Sequence, residues 1–499
     1  MPRPALCYTA TAPVPGQVFP TRPMMAQFSR SLSSLLFAAA FAWGSAASAD
    51  TLLEIYELAL KNDPVLKAAE ASFRAGKEAE VQGRSALLPQ VGAQATYGES
   101  DLSTQSKYNF FSNPFDQDLD GQDENYFLNV DQKIFDLSAW FTFKQGKELT
   151  REAAARFAAD QEDLIIRTAE AYVNVLRAMD NLKSSRAEEA AFQRQLEQTQ
   201  QRFEVGLIAI TDVHEARAAY DLAVVNRLTD EGNLGVSYEA LSVLTGQEHS
   251  NLWLLNEKFP VVDPSPASRD QWVDMALNGN FQLKAAEYAS EAARQASQSA
   301  KSRHLPTITG SFTALDTESK EDVTDNNALI PSARSFESYS YRDGNQFTIT
   351  MNLPLYQGGA ISSQRRESAE RAIAARENHT GAMREIIQAT RSVHLAVVTD
   401  VQRVKARQQA IVSAQSALDA TQAGYEVGTR NVVDVLDAQR ILYSAIRNYA
   451  NTRYDYVLRT LRLRELAGTL NPQDVADLSK WLVAPPAATA TAAPETGTP

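Results

Sequence analysis

The sequence predicts a mainly α-helical chain with a smaller β part, built as two copies of one unit. Three observations carry this. Landmarks in the first half return in the same order in the second. Two very long stretches lack proline. Each half holds a pair of segments in which apolar and polar residues alternate.

Composition sets the outer bounds. The chain has 499 residues, 44% hydrophobic and 22% charged, which is ample for a large core. Mean hydropathy is −0.32, so a bundle of apolar membrane helices is excluded. The only long apolar stretch, Leu35 to Trp43, is too short for a bilayer core of ~30 Å. With 48 basic and 61 acidic residues the net charge is −13, a poor fit to a nucleic-acid binder. Cys7 is the single cysteine, so no disulfide framework or cysteine-based zinc site is available. His214, His249, His304, His379 and His394 show no metal-ligand spacing. No nucleophile–base pair or phosphate loop appears, so neither enzyme activity, a cofactor nor a metal is expected.

The elements follow in chain order. Residues 1–24 are read as an upstream extension, with Met24 or Met25 the true start. Residues 25–49 read as a secretory signal peptide: Arg30 supplies the basic region, Leu35 to Trp43 the apolar region, and Ala47-Ser48-Ala49 the cleavage site. These 49 residues hold three arginines and no acid, so their loss leaves 45 basic against 61 acidic residues. Export without a disulfide fits a bacterial envelope protein.

The first repeat spans 50–260 and the second 267–470. Leu66-Lys67-Ala68-Ala69-Glu70 returns as Leu283-Lys284-Ala285-Ala286-Glu287, and Leu88-Pro89 as Leu305-Pro306, both offset by 217. Glu204-Val205-Gly206 returns as Glu426-Val427-Gly428, and Asp212-Val213 as Asp434-Val435, both offset by 222. Such a long period means a duplicated half-domain and excludes a solenoid. The proline-rich stretch from Pro260 to Pro266 links the halves.

In each repeat a hairpin precedes the longest helices, at about 91–135 and 307–354. Val91, Ala93, Ala95 and Tyr97 alternate with Gly92, Gln94 and Thr96. Phe347, Ile349, Met351 and Leu353 alternate with Gln346, Thr348, Thr350 and Asn352. Period two means strands with one apolar face. Strands of ~10 residues suit an outer-membrane crossing, but four cannot close a barrel, which needs at least ~8. The chain must oligomerise if they cross; a small soluble sheet packed on the helices is the alternative. Polar loops are expected at about 99–125 and 316–345. One holds Asp116-Gln117-Asp118-Leu119-Asp120-Gly121, the opening of an EF-hand calcium loop. Phe127 stands where the loop's bidentate Glu is required, so the segment 116–124 reads better as a solvated acidic loop.

Long helices follow each hairpin. No proline occurs between Pro114 and Pro260, nor between Pro354 and Pro472, and proline costs ~3 kcal/mol inside a helix. Leu137 to Glu204 has no strong breaker except Gly146, and at ~1.5 Å per residue would make a helix roughly 100 Å long. Gly358 to Gly424 repeats it, interrupted by Gly381. Ile165, Ala169, Tyr172, Leu176 and Met179 keep the alternating four–three spacing of a coiled-coil seam. Leu442, Ile446, Tyr449, Tyr456 and Leu463 keep a similar register. These stripes build a wall and carry no chemistry. The C-terminal tail, 471–499, is expected to be disordered in its distal Ala/Thr/Pro-rich part.

The segments Arg202-Phe203-Glu204-Val205-Gly206-Leu207-Ile208-Ala209-Ile210-Thr211-Asp212-Val213 and Gly424-Tyr425-Glu426-Val427-Gly428-Thr429-Arg430-Asn431-Val432-Val433-Asp434-Val435 resemble the two helix–turn–helix tips of the TolC family of outer membrane factors. The resemblance covers nearly all of residues 50–475. It implies a homotrimer in the outer membrane, with twelve strands, four per chain, in a β-barrel set in lipid, and twelve helices in a periplasmic α-barrel. It also implies a passive exit duct for drugs or secreted proteins, docked to a periplasmic adaptor (membrane fusion) protein and an inner-membrane transporter of RND, ABC or MFS type. No nucleic-acid partner is implied. A periplasmic coiled-coil spacer without conductance is the alternative.

The tips are the candidate site. Gly206 and Gly428 suit chain reversals, and with Val205 and Val427 are the expected adaptor contacts. Asp434 and Asp437 lie three apart at a helix start, which places both carboxylates on one face. In a threefold assembly each becomes a ring of three acids, and acidic rings favour cations. The plainer reading of Asp434 is an acid stabilising a helix N-terminus. By the family's pattern, Arg430 and Tyr425 bond to Asp212 of the other tip and latch the closed state.

Overall fold

The computed structural model describes residues 50–106, 115–325 and 335–485. The upstream extension and signal peptide of the sequence reading lie outside them.

The duplication is visible element by element. The first repeat runs α1 (Leu52–Asn62), α2 (Pro64–Ser85), β1 (Gln90–Ser106), β2 (Phe115–Phe135), α3 (Leu137–Glu204) and α4 (Ile210–Thr245). A two-residue strand, β3 (Leu254–Leu255), precedes the second repeat. That repeat runs α5 (Arg269–Gly279), α6 (Phe281–Ser302), β4 (Thr307–Asp325), β5 (Ser335–Asn352), α7 (Ala360–Glu426) and α8 (Val432–Leu466). Helices α3 and α7 have 68 and 67 residues, and α4 and α8 have 36 and 35.

The repeated Leu-Lys-Ala-Ala-Glu motif has a local cause. The Asp63 side chain accepts from the Leu66 N–H at 2.9 Å, and the Asn280 side chain accepts from the Leu283 N–H at 2.9 Å. Each caps the helix that carries the motif, satisfying an N–H with no partner inside the helix. Asp136 caps α3 in the same way, through the Ala139 N–H. Gly146 does not break α3. A Cβ there would stand 2.2 Å from the Ala79 carbonyl oxygen, so glycine lets α2 and α3 approach closely.

Helix α3 packs against α2, α4, α6 and α8, and α7 packs against α8 and α6. The seam residues Ile165, Ala169, Tyr172 and Leu176 are buried, as are Leu442, Tyr456 and Leu463. The main core gathers most of these with Leu52, Ile55, Leu241, Val397 and Val401. A smaller core nearer the helix ends joins Phe192, Leu418, Tyr425, Val432, Val435 and Leu442.

The proximal part of the C-terminal tail is ordered. Pro472–Ser479 forms α9, and Leu482–Val483 forms β6, antiparallel to β3. Val475, Leu478 and Leu482 are buried in the main core, so apolar burial orders a stretch that composition assigned to the tail. Residues 486–499, where disorder was expected, lie outside the described residues.

The four long strands form one antiparallel sheet in the order β1-β2-β4-β5. The register puts Val91, Val130, Phe312 and Phe347 in one row across it. Gly92, Asn129, Thr313 and Gln346 form the adjacent row on the opposite face. Val91, Leu128, Phe347, Ile349 and Met351 are exposed, so the chain leaves the apolar face uncovered. Tyrosines Tyr97, Tyr126, Tyr339 and Tyr341 border this band. Tyr97 donates to Glu99 at 2.6 Å and Tyr339 to Glu337 at 2.8 Å, placing the phenol hydroxyls toward the charged end. Among the described residues no helix is long and apolar enough to cross a membrane.

The polar loops are shorter than expected. β1 and β2 stay paired out to Ser106 and Phe115, and β4 and β5 out to Thr324 and Ser335. The acidic segment 116–124 is therefore strand, not loop. Cross-strand backbone hydrogen bonds hold it extended, a shape that cannot wrap an ion as an EF-hand loop does. Among the described residues no group of three acidic, histidine or cysteine side chains is placed to hold a metal.

Candidate functional site

Both tips are built by the same backbone device. The Leu207 N–H donates to the Arg202 carbonyl at 2.9 Å, and the Gly206 N–H to that of Phe203 at 2.9 Å. In the second tip the Thr429 N–H donates to Gly424 at 2.8 Å and the Gly428 N–H to Tyr425 at 3.2 Å. This pair of bonds is the Schellman motif, which ends a helix on a left-handed residue. Gly206 and Gly428 both have φ 76°, where a side chain is strained. Val205, Leu207 and Val427 are exposed around these turns.

The tips differ after the turn. Asn431 caps α8 by accepting from the Asp434 N–H at 2.8 Å, and Asp434 accepts from the Asn431 N–H at 3.3 Å. This reciprocal box satisfies two free N–H groups. The matching position in the first tip, Ala209, has no side-chain cap. Asp212 is the counterpart of Asp434 and accepts from the Thr211 hydroxyl at 3.4 Å.

The proposed latch residues do not meet within one chain. Arg430 lies 3.8 Å from Asp434. Tyr425 is buried, and its hydroxyl has no hydrogen-bond partner. The Arg202 guanidinium lies over its ring, 4.6 Å from the centroid. No hydrogen bond or ion pair among the described residues joins Asp212 to Arg430 or Tyr425.

The two candidate ring acids each carry a base. Asp437 accepts from Arg440 at 2.5 Å, and Asp434 has Arg430 beside it. All four side chains are well exposed, so each pair contributes ~0–1 kcal/mol. Asp434 therefore fills the plainer role of a helix-start acid.

Sequence reasoning missed three contributors. Arg202 stacks on Tyr425 across two helices that lie far apart in sequence. Gly424 makes room for Arg430: a Cβ there would stand 2.8 Å from the arginine's Cγ. Arg440 is three residues from Asp437, a spacing that is legible as a helix pair.

A sequence profile described as "Outer membrane efflux protein" matches residues 55–247 and 272–469. The chain is 39% identical over 440 residues to "Outer membrane protein TolC" of Vibrio cholerae, covering 88% of this chain and 95% of that one. It is 28% identical to "Alkaline protease secretion protein AprF" of Pseudomonas aeruginosa, over 85% of each chain. Among solved structures, the outer membrane protein VceC of Vibrio cholerae superposes with a TM-score of 0.68 at 20% identity, covering 84% of this chain and 96% of that one.

Proposed function

The chain belongs to the outer membrane efflux protein family, and from that premise we propose that three copies join their sheets into one twelve-stranded barrel. It is an outer-membrane channel for efflux and secretion that extends into the periplasm. The observation that carries the trimer is the uncovered apolar face of a four-stranded sheet with two unpaired edges, β1 and β5. Four strands cannot close, and lipid tolerates no open sheet edge. Three copies supply twelve strands and bury all edges.

The duct is passive. Its periplasmic end is the ring of helix tips, where Val205, Gly206, Val427 and Gly428 meet an adaptor and, through it, an inner-membrane transporter of RND, ABC or MFS type. Asp212, Tyr425 and Arg430 latch neighbouring tips between protomers, and Asp434 and Asp437 line the constriction. Arg430 is exposed and held by one weak pair, which leaves it free to exchange Asp434 for an acid on the next chain.

The mass of the detergent-solubilised protein tests the assembly. Three chains per particle, with conductance in a planar bilayer, is the expected outcome. A monodisperse monomer in buffer without detergent would sink the barrel, and trimers without conductance would favour a spacer. Replacing Gly206 or Gly428 by a bulky residue is expected to abolish export while trimers still reach the outer membrane.

A further inference from the structure

The strands continue past the apolar band, and their two faces exchange character. On the lipid side of the register, Asp101, Asp120, Asp322 and Glu337 form one continuous row across all four strands. Hydrocarbon does not reach a row of four acids. One residue further, on the opposite face, Leu102, Leu119, Val323 and Phe336 form another continuous row. The pairing is uninterrupted between these rows and the Val91 row, so the face assignment carries through. The apolar row therefore faces the lumen at a height where both sides of the wall meet water. Lipid gives it no reason to be apolar. Val323, in the middle, is 5% exposed, while Leu102 and Phe336 at its ends are 59% and 52% exposed.

Resting on the trimeric barrel argued above, we propose that this row forms a twelve-residue apolar collar inside the outer mouth, which binds organic cations carrying an apolar tail. Twelve strands ~4.8 Å apart and tilted ~40° give a backbone radius of about 12 Å, which side chains of this size narrow to roughly half. A tail passing the collar touches the exposed Leu102 and Phe336 and the half-buried Leu119, with the covered Val323 packed behind them. The sign of the head group follows from the adjacent lumen-facing row. Ser100, Gly121, Glu321 and Ser338 lie two residues down the strands, about 7 Å away, and Glu321 is its only charge. Asp123 faces the lumen two residues further down. The nearest lumen-facing base among the described residues, Arg342, is six residues from Phe336 along β5. An ammonium head thus meets Glu321 while its tail lies on the collar.

The test is block of single channels by hexyl-, octyl- and decyltrimethylammonium added from the extracellular side. Block is expected to tighten by about twofold or more per added methylene, with tetramethylammonium and the matching alkyl sulfates far weaker. Leu102→Ser with Phe336→Ser, at the exposed ends of the row, is expected to keep full conductance and lose the dependence on tail length. Glu321→Gln is expected to weaken block by the cations and to narrow their lead over the sulfates. Asp434→Asn with Asp437→Asn, at the other end of the duct, is expected to leave this block unchanged. Conductance without tail-dependent block, equal block in the serine variant, or tighter block by the sulfates would each overturn the collar alone. Absence of any conductance in the unaltered protein would overturn the barrel itself.

Discussion

Glu162 on α3 is 7% exposed, and its Oε1 has no hydrogen-bond partner. Burial, reinforced by the charge of Glu465, pushes its pKa up to about 8, against partial relief from Lys284. The unfolded chain releases this proton near 4.5. Stability carried by the neutral carboxyl is therefore fully present below pH 4.5 and is lost as the pH rises toward 8. Thermal unfolding followed from about pH 5 to 8 should show a falling midpoint. Glu162→Gln is expected to flatten that slope and raise the midpoint at the alkaline end by a few °C, on the order of 1 kcal/mol or more. Asp400 shows the opposite solution. It is fully buried on α7 and accepts from Arg459 at 2.7 and 2.6 Å and from Arg403 at 3.1 Å. Asp400 is buried but the Arg459 and Arg403 side chains are 39% and 45% exposed, so water can take over their N–H groups, and Asp400→Ala is expected to cost ~1–3 kcal/mol in chemical denaturation. An unchanged midpoint would show that the carboxylate's bonds to the arginines add nothing beyond what water supplies.

In the proposed duct the tips are the elements that carry function, and their charges set the expected outcomes. In a threefold ring, six carboxylates from Asp434 and Asp437 would attract multivalent cations, since unit charges ~4 Å apart interact by roughly 4 kcal/mol at an effective dielectric of about 20. Asp434→Asn with Asp437→Asn keeps an acceptor for the Asn431 N–H and removes the charge. Block by a trivalent cation from the periplasmic side is expected to fall at least about tenfold. Arg440→Ala frees Asp437 from its partner and is expected to tighten that block severalfold. Arg430→Ser with Tyr425→Phe is expected to raise conductance while keeping the block; unchanged conductance would remove the latch. Element boundaries were largely legible here. The absence of strong breakers marked α3 over Leu137 to Glu204, and Gly206 and Gly428 marked both reversals. The partner of Tyr425 was not legible, because Arg202 reaches it across helices that sequence spacing does not connect; Gly424 meets Arg430 only through the fold of the turn between them. The segment 116–124 misled for another reason. Polar composition signals a loop in a soluble fold, but strands that project beyond lipid can be polar on both faces.

At the scale of the molecule, the duplication and the alternating strands were enough to read a doubled, mainly helical chain with a four-stranded part, while the barrel and the helical tube rested on the family resemblance. The closing of the core by α9 and β6 was not legible, because a single short helix in a proline- and alanine-rich context looks like tail. Ending the chain after Asn471 would uncover the surface that Val475, Leu478 and Leu482 bury. That truncation is expected to abolish folded trimers, read as loss of a protease-resistant band; normal trimers would show the segment to be dispensable. A different consequence follows from the bare edges of β1 and β5. Before assembly each protomer exposes two long strand templates and an aromatic face to water, the conditions under which chains stack at random. Productive closure needs three protomers to meet in order, whereas misassociation needs only two. Refolding yield should therefore pass through a maximum with concentration. In the cell, the supply of new chains matters as much as their sequence: a burst of synthesis would outrun correct closure, and a slow, chaperoned trickle would favour it.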